Sequence, residues 1–512
     1  MNYQHRIKWL FIAGIAGITL FSCRKDKGNY NYHDINEATI AGIDSTYTLQ
    51  RGDLLEIQPQ LAFTKDEGKD TSKYTYRWFM VDESVAPVRT RELSAARNLK
   101  WQVNVNPSST KYTIYYTVTE KSTDISWRRA FQLSVVSDMA DGWLVFNDIN
   151  GHARLDYLNY HEQGDTFQRF TDVLASQSTL TLSGKPVLAT FYYRRSVFGR
   201  ERGSTIVVGT DQQTFIMDLS NYSFDAYIPL GDAMVNYYAS PYYARSVQAQ
   251  GSQCISYMYD NLGNLFYENP FVGEAYGNPV NQTADGKPVA ISPWFAEGYL
   301  EGTPYALMYD TVNQRFLEHK ASNHSVSVPV TASTLFDPGH VGMQLVYMAS
   351  TKAVSSQMYA VFKDKKGKVF LARMSASNDA FVPLAFDAIT TAPEMAAATQ
   401  FTIDPQQGYL MYAVGSRIYR YNPYDNTNQQ VLDMGNRVVS LLKYQKMVSP
   451  YMNEPRYATY GQKLIVCTYD QQDVDHTGKI ELFTVPALNG PLSLYQTFSG
   501  FGKIVAISYN EQ

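Results

Sequence analysis

Residues 305–319 read YALMYDTVNQRFLEH: an apolar run, a turn entered at Asp310, and a second run. The pattern recurs as TIVVGTDQQTFIMDL (205–219), ISYMYDNLGNLFYEN (255–269) and MYAVFKDKKGKVFLAR (358–373). Each run alternates apolar and polar side chains over a few residues around a short turn rich in Asp, Asn or Gly, which is the pattern of a β-hairpin. Turn-entry aspartates fall at Asp148, Asp211, Asp260, Asp310, Asp364 and Asp470, with spacings of 63, 49, 50, 54 and 106 residues. Midway through the last gap lies GYLMYAVGSRIYRYN (408–422), in which Gly415 and Ser416 supply the turn. Seven hairpins at a period of roughly 50 residues match the four-stranded blades of a β-propeller. Helical solenoids need a 3.6-residue period that is absent here.

An apolar strand precedes most hairpins: VLATFYY from 187, AISPWFA from 290, QLVYMAS from 344 and VVSLLKYQ from 438. Others follow them, as SVSVPV from 325, FVPLAF from 381 and LSLYQTF from 492. The first hairpin, GWLVFNDINGHARLDYL (142–158), has no strand of its own ahead of it, and the last has a spare one behind it, GKIVAISYN (502–510). Lending the spare strand to the first blade closes the ring and removes the open edge that all-β folds must manage. The expectation is a seven-bladed propeller over 139–512, with 503–509 pairing with 142–147.

Ahead of it, 34–138 has the size of one small sandwich. YTYRWFM (74–80) puts Trp78 two residues after Tyr76 on a strand. KYTIYYTVTE (111–120) sets Tyr112, Ile114, Tyr116 and Val118 on one face, and AFQLSVV (130–136) completes a hairpin. The N-terminus carries Arg6 and Lys8, a thirteen-residue apolar stretch from Trp9 to Phe21, and LFSC ending at Cys23. Thirteen residues cannot span ~30 Å of hydrocarbon as a helix, so 1–22 reads as a signal peptide. LFSC resembles a bacterial lipobox, which makes Cys23 the lipidated first residue and 23–33 a tether. An ordinary secretory signal with an incidental cysteine is the alternative. Arg24 stands where an inner-membrane retention aspartate would, pointing to the outer membrane, at the cell surface or on its periplasmic side.

The formal charge is −4, and −6 once Arg6 and Lys8 are removed. Nothing in it points to nucleic acid. Cys254 and Cys467 fall in the third and seventh repeats, which should not be neighbours in a seven-blade ring, so buried thiols are expected and a disulfide is the alternative. Tyrosine is in excess at 40 residues; its apolar ring and polar tip suit strand surfaces and also sites that stack on sugars or peptides.

Together the lipobox, the NYNYHDINEATI opening (29–40), the YRW strand and the GWLVFNDINGHARLDYL junction resemble the PKD-like family lipoproteins of Bacteroidetes. That resemblance implies an all-β chain with an N-terminal immunoglobulin-like sandwich and a propeller, carried beside SusC/SusD-type outer-membrane transporters. It also implies a role in capturing a nutrient, and it brings no catalytic residues.

Motifs for phosphate loops, zinc hydrolysis, acyl transfer and thiol redox are absent, so no cofactor or metal is expected. His319 with His324 is the nearest histidine pair in the propeller, and DQQDVDHTG (470–478) holds three aspartates; both read as ordinary strand and turn chemistry rather than metal sites. RGD at 51–53 reads as a turn. Aromatic clusters stand out: FYYRRSVFGRER (191–202), NYYASPYYAR (236–245), PWFAEGY (293–299) and SPYMNEPRY (449–457). Placed in or beside the connection from first strand to hairpin, they would form one rim on the face opposite the Asp turns. The expected ligand-binding residues are Tyr237, Tyr238, Tyr242, Tyr243, Trp294, Phe295, Tyr299, Tyr451, Arg194, Arg200 and Arg245. Rings folded back as packing are the alternative.

The favoured function is a non-catalytic, lipid-anchored binding protein for a glycan or peptide. Two others compete with it. A glycan hydrolase or lyase would need paired carboxylates, for which Glu201, Glu297 and Glu454 are the nearest candidates. A scaffold between envelope proteins would need neither.

Overall fold

The computed structural model describes residues 35–82, 89–105, 111–136, 141–161, 164–194, 203–219, 224–250, 255–268, 275–298, 304–320, 323–353, 356–375, 381–448 and 454–511. The signal segment, Cys23 and Cys254 lie outside them. The described residues within 35–47, 54–101 and 113–132 form one compact unit, and those within 48–53, 102–112 and 133–511 the other. Among the described residues no helix is long and apolar enough to cross a membrane.

The N-terminal part is an immunoglobulin-like sandwich. Its larger sheet orders Thr46–Gln50, Ser126–Val136, Tyr112–Glu120, Tyr74–Asp82 and Arg89–Ser94; two short pairs, Ala38–Ala41 with Gln60–Phe63 and Leu54–Ile57 with Leu99–Gln102, complete it. Trp78 and Tyr116 face each other across the sheet and stack at 4.1 Å, both fully buried. The indole N–H donates to the Ala96 carbonyl at 3.0 Å, so the ring is buried without an orphaned donor.

The second unit is a β-propeller. Among the described residues its strands form seven sheets, taken here as blades 1 to 7. Blades 2, 5, 6 and 7 are four-stranded and begin at Pro186–Arg194, Gln344–Thr351, Gln400–Ile403 and Val438–Tyr444; blades 3 and 4, with three described strands each, begin at Ala244–Gln250 and Ala296–Glu297. Blade 1 takes its inner strand from the C-terminus: Lys503–Asn510 runs antiparallel to Gly142–Ile149, with Gly142 opposite Asn510 and Asp148 opposite Lys503. Successive inner strands are neighbours, and Lys503–Asn510 lies against the inner strands of both blade 7 and blade 2. The chain passes from last blade to first at Gly502, whose carbonyl oxygen would lie 1.8 Å from a Cβ at Gly478.

Alternation was expected in the hairpins, yet the second strands of blades 3 and 4, ISYMYD and YALMYD, are buried at every position. A middle strand of a blade is covered on both faces by adjacent blades, so neither face needs to be polar. The turn aspartates serve their own turns. Asp310 Oδ1 accepts from the Val312 and Asn313 N–H groups at 3.0 and 2.9 Å, and Asp260 Oδ1 from Leu262 and Asn264 at 2.9 and 2.8 Å. Asp364 does the same for Lys366 and Lys368, both at 2.8 Å. These are Asx turns, in which a short carboxylate replaces a backbone acceptor.

Candidate functional site

Each blade is antiparallel, so its second-to-third turn lies at the end where the first strand begins, and its first-to-second connection at the other end. This rule relocates two of the four aromatic clusters. NYYASPYYAR precedes the inner strand Ala244–Gln250 instead of following it, and so emerges beside the Asp turns. The bonding agrees: Asn261, in the Asp260 turn, donates its N–H to the Tyr243 carbonyl at 3.0 Å and its Nδ2 to Pro241 at 3.0 Å, and its Oδ1 accepts from Tyr243 N–H at 3.1 Å. Trp294 likewise sits ahead of Ala296–Glu297, just past Ser292, whose N–H reaches the Tyr309 carbonyl at 2.9 Å. The single rim expected opposite the Asp turns is therefore corrected in part: Tyr237, Tyr238, Tyr242, Tyr243 and Trp294 lie on the Asp-turn face, whereas the described parts of the clusters at 191–202 and 449–457 end or follow the first strands of blades 2 and 7 and stay at the opposite end. Tyr299, Tyr451 and Arg200 lie outside the described residues, and of Arg194 only the backbone, paired with Gly203, is described.

The side chains on that face differ in availability. Tyr237 is 92% exposed and Trp294 45%, and Arg245 is exposed. Tyr238 and Tyr242 stack on each other at 4.6 Å and pack against the core of blades 2 and 3, with Phe266 5.9 Å from Tyr238. Burial pushes both phenols up from their ordinary range. Tyr243 is half-buried. Phe295 is corrected outright: it is fully buried in the core of blades 3 to 5 and meets no solvent, since the chain dives into the ring immediately after Trp294. Exposed Leu262 and Val312, on the turns of the same two blades, extend the apolar character of this region.

Trp294 is exposed yet held. Its ring meets Tyr347 edge-on at 5.1 Å; Tyr347 stacks on Phe401 at 5.5 Å, and Phe401 on Tyr412 at 6.3 Å. The line runs from blade 4 through blade 5 into blade 6. A ring supported in this way loses little conformational freedom when a ligand stacks on it.

At the opposite end of the inner strands the polar groups occupy one another. Glu297, 4% exposed, forms an ion pair with Lys446 and accepts from Ser350 Oγ at 2.9 Å. Blades 4 and 7 are three steps apart in the ring, so this pair spans it. Glu511 accepts from the Val448 N–H at 2.9 and 3.2 Å. Of the candidate acids, Glu297 is thus committed to structure, Glu454 is exposed at the start of the helix Pro455–Gly461, and Glu201 lies outside the described residues. In that helix Arg456 pairs with buried Asp141 and the Tyr457 hydroxyl donates to it at 3.1 Å, so part of the fourth aromatic cluster is packing at the ring closure.

His319 is satisfied internally: its Nδ1 accepts from the Tyr257 hydroxyl at 2.9 Å and its Nε2–H donates to the Asn323 carbonyl at 2.7 Å. Burial holds it down to about 4, so the ring is neutral. Among the described residues no group of three His, Cys, Asp or Glu side chains is placed to hold a metal ion. Cys467 is a buried free thiol. Sequence reasoning missed the Glu297–Lys446 pair and the aromatic line, since both join residues of different blades and leave no local pattern.

Residues 23–186 match the PKD-like family. No curated protein matches the chain. Among solved structures, a quinonprotein alcohol dehydrogenase-like protein from Bacteroides thetaiotaomicron is 12% identical, covering 91% of this chain and 97% of its own at a TM-score of 0.46. AztD from Citrobacter koseri is 13% identical, with 85% and 98% covered and a TM-score of 0.33, and the C-terminal WD40 domain of Sif2 is 10% identical, with 64% and 95% covered and a TM-score of 0.36. All three TM-scores lie below 0.5, and the propeller stands on its own strand pairing.

Proposed function

We propose that this chain is a lipid-anchored binding protein of the outer membrane, whose propeller captures a glycan or peptide on the Asp-turn face of blades 3 and 4 and passes it to a SusC/SusD-type transporter. The observation that carries this reading is the presence on one face of an exposed but braced Trp294, the nearly fully exposed Tyr237 and the exposed Arg245. Flat apolar rings stack on sugar faces or side chains, and a guanidinium adds directional hydrogen bonds. The commitment of Glu297 to an ion pair favours binding over the hydrolase alternative.

The test of binding is a panel of glycans and peptides titrated against the wild-type protein and Trp294→Ala, with thermal melts on both. Weaker capture with an unchanged melt supports the reading; unchanged capture removes Trp294 from the site. The test of the anchor is Cys23→Ala, which should move the protein from the outer-membrane fraction to the soluble one. A lipid label persisting on that variant would overturn the lipobox assignment. Pull-down from membranes tests the transporter.

A further inference from the structure

Where the ring closes, a group of buried polar atoms finds no partner among the described residues. Trp143, on the second strand of blade 1, is 1% exposed and stands opposite Tyr509 on the closing strand. Their rings meet edge-on at 4.7 Å. Tyr460, on the helix Pro455–Gly461 of blade 7, lies 5.6 Å from the indole and 5.4 Å from the Tyr509 ring, and Tyr457 of the same helix lies 5.8 Å from Tyr509. Beside these rings is Asp141, 6% exposed, whose Oδ2 takes the Arg456 guanidinium and the Tyr457 hydroxyl.

Four polar atoms in this layer are left over: Trp143 Nε1, Arg456 Nε, Asp141 Oδ1 and the Tyr509 hydroxyl. The last two face each other without closing a direct hydrogen bond. A buried donor or acceptor left bare costs its full desolvation, and native interiors meet such groups with an ordered guest.

The chemistry of the set narrows that guest. Arg456 and Asp141 already neutralise each other, so a cation or an anion would meet a like charge here. Among the described residues no three acidic or imidazole groups converge to cage a metal. A hydrocarbon would leave the polar atoms unmet. The guest must accept from the indole or guanidinium N–H and donate to Asp141 or Tyr509. Water does both, and aromatic walls 4.7 to 5.8 Å apart favour the smallest molecule that can.

We propose that an ordered water sits between Trp143, Asp141 and Tyr509 and ties the closing strand, through Arg456, to the helix of blade 7. The ring closure is then a hydrated joint: backbone pairing joins the closing strand to blade 1, and a buried solvent bridge joins it to blade 7. Nothing in this depends on what the Asp-turn face binds.

The test is a high-resolution crystal structure of the full chain, read together with chemical denaturation of wild type and Tyr509→Phe. One ordered water within hydrogen-bond distance of Trp143 Nε1 and of either Asp141 Oδ1 or the Tyr509 hydroxyl is expected. Tyr509→Phe keeps the ring and removes the hydroxyl, and should lower the folding equilibrium constant about fivefold. An indole N–H with no water in reach, or bonded directly to a protein acceptor, overturns the bridge, and so does density too large for water. A folding equilibrium that Tyr509→Phe leaves unchanged or raises overturns it too, since that is the result for a hydroxyl that meets nothing.

Discussion

At one end of the inner strands Glu297, Lys446, Ser350 and Glu511 have their charge and hydrogen bonds taken up inside the protein, whereas at the Asp-turn end Tyr237 and Trp294 hold their rings in solvent. The first arrangement ties blades 4 and 7 together across the ring. The second has costs that packing would have removed: water-exposed aromatic surface, braced from behind at Trp294 by Tyr347. Exposed rings that stability does not require are the surfaces most economically explained by recognition. On the proposed reading, binding belongs to the Asp-turn face.

The comparison can be broken most forcefully at the ring closure. Removing residues 503–512 deletes the inner strand of blade 1 and exposes the edges of its neighbours. The whole propeller should lose its cooperative melt, and a truncated protein with an unchanged melting temperature would show that the closing strand is dispensable. Glu297→Ala leaves Lys446 without its partner and should cost about 1–2 kcal/mol in denaturant titration, because the Lys446 side chain keeps 35% exposure to water. The double variant Glu297→Ala/Lys446→Met should recover part of this, and simple additivity of the two single losses would deny the coupling.

His319 supplies a pH signature for the packed blades. Its folded value of about 4 lies below the ~6.5 of an unfolded histidine, so the unfolded chain binds the extra proton between those values. The residue's contribution is complete above pH 6.5 and is lost as pH falls toward 4, by about 3 kcal/mol. Chemical denaturation at pH 7 and pH 4 should show this loss, and His319→Gln should flatten the difference. An equal pH dependence in the variant would place the titration elsewhere.

Much of this architecture is legible in the sequence because hairpins are local: a run, an Asx turn and a run lie within fifteen residues. The closing strand was legible by subtraction, from one strand missing at 142 and one spare at 502. The placement of NYYASPYYAR was not. The inner strand that follows it reads ARSVQAQ, small and polar residues suited to the crowded axis of a propeller, and it lacks the apolar signature that marks the other first strands. Without that strand, the loop is assigned to the wrong end of its blade. Trp294 and Phe295 lie just ahead of the short strand Ala296–Glu297, and the sequence does not say at which of the two aromatic rings the chain enters the core. Ion pairs between blades 4 and 7 join residues 149 positions apart, beyond any local pattern.

The smallest expected effect on stability carries the largest on function. Trp294→Ala and Tyr237→Ala remove exposed rings, so each should shift unfolding free energy by no more than about 1 kcal/mol. The most direct measurement is therefore a paired one: affinity for the strongest binder from a glycan and peptide panel, and the melting temperature, on wild type and on Trp294→Ala/Tyr237→Ala. Affinity reduced at least tenfold with the melt nearly unchanged is the predicted result. Full affinity in a variant that melts far earlier would contradict it, making these rings packing and moving the binding site off blades 3 and 4.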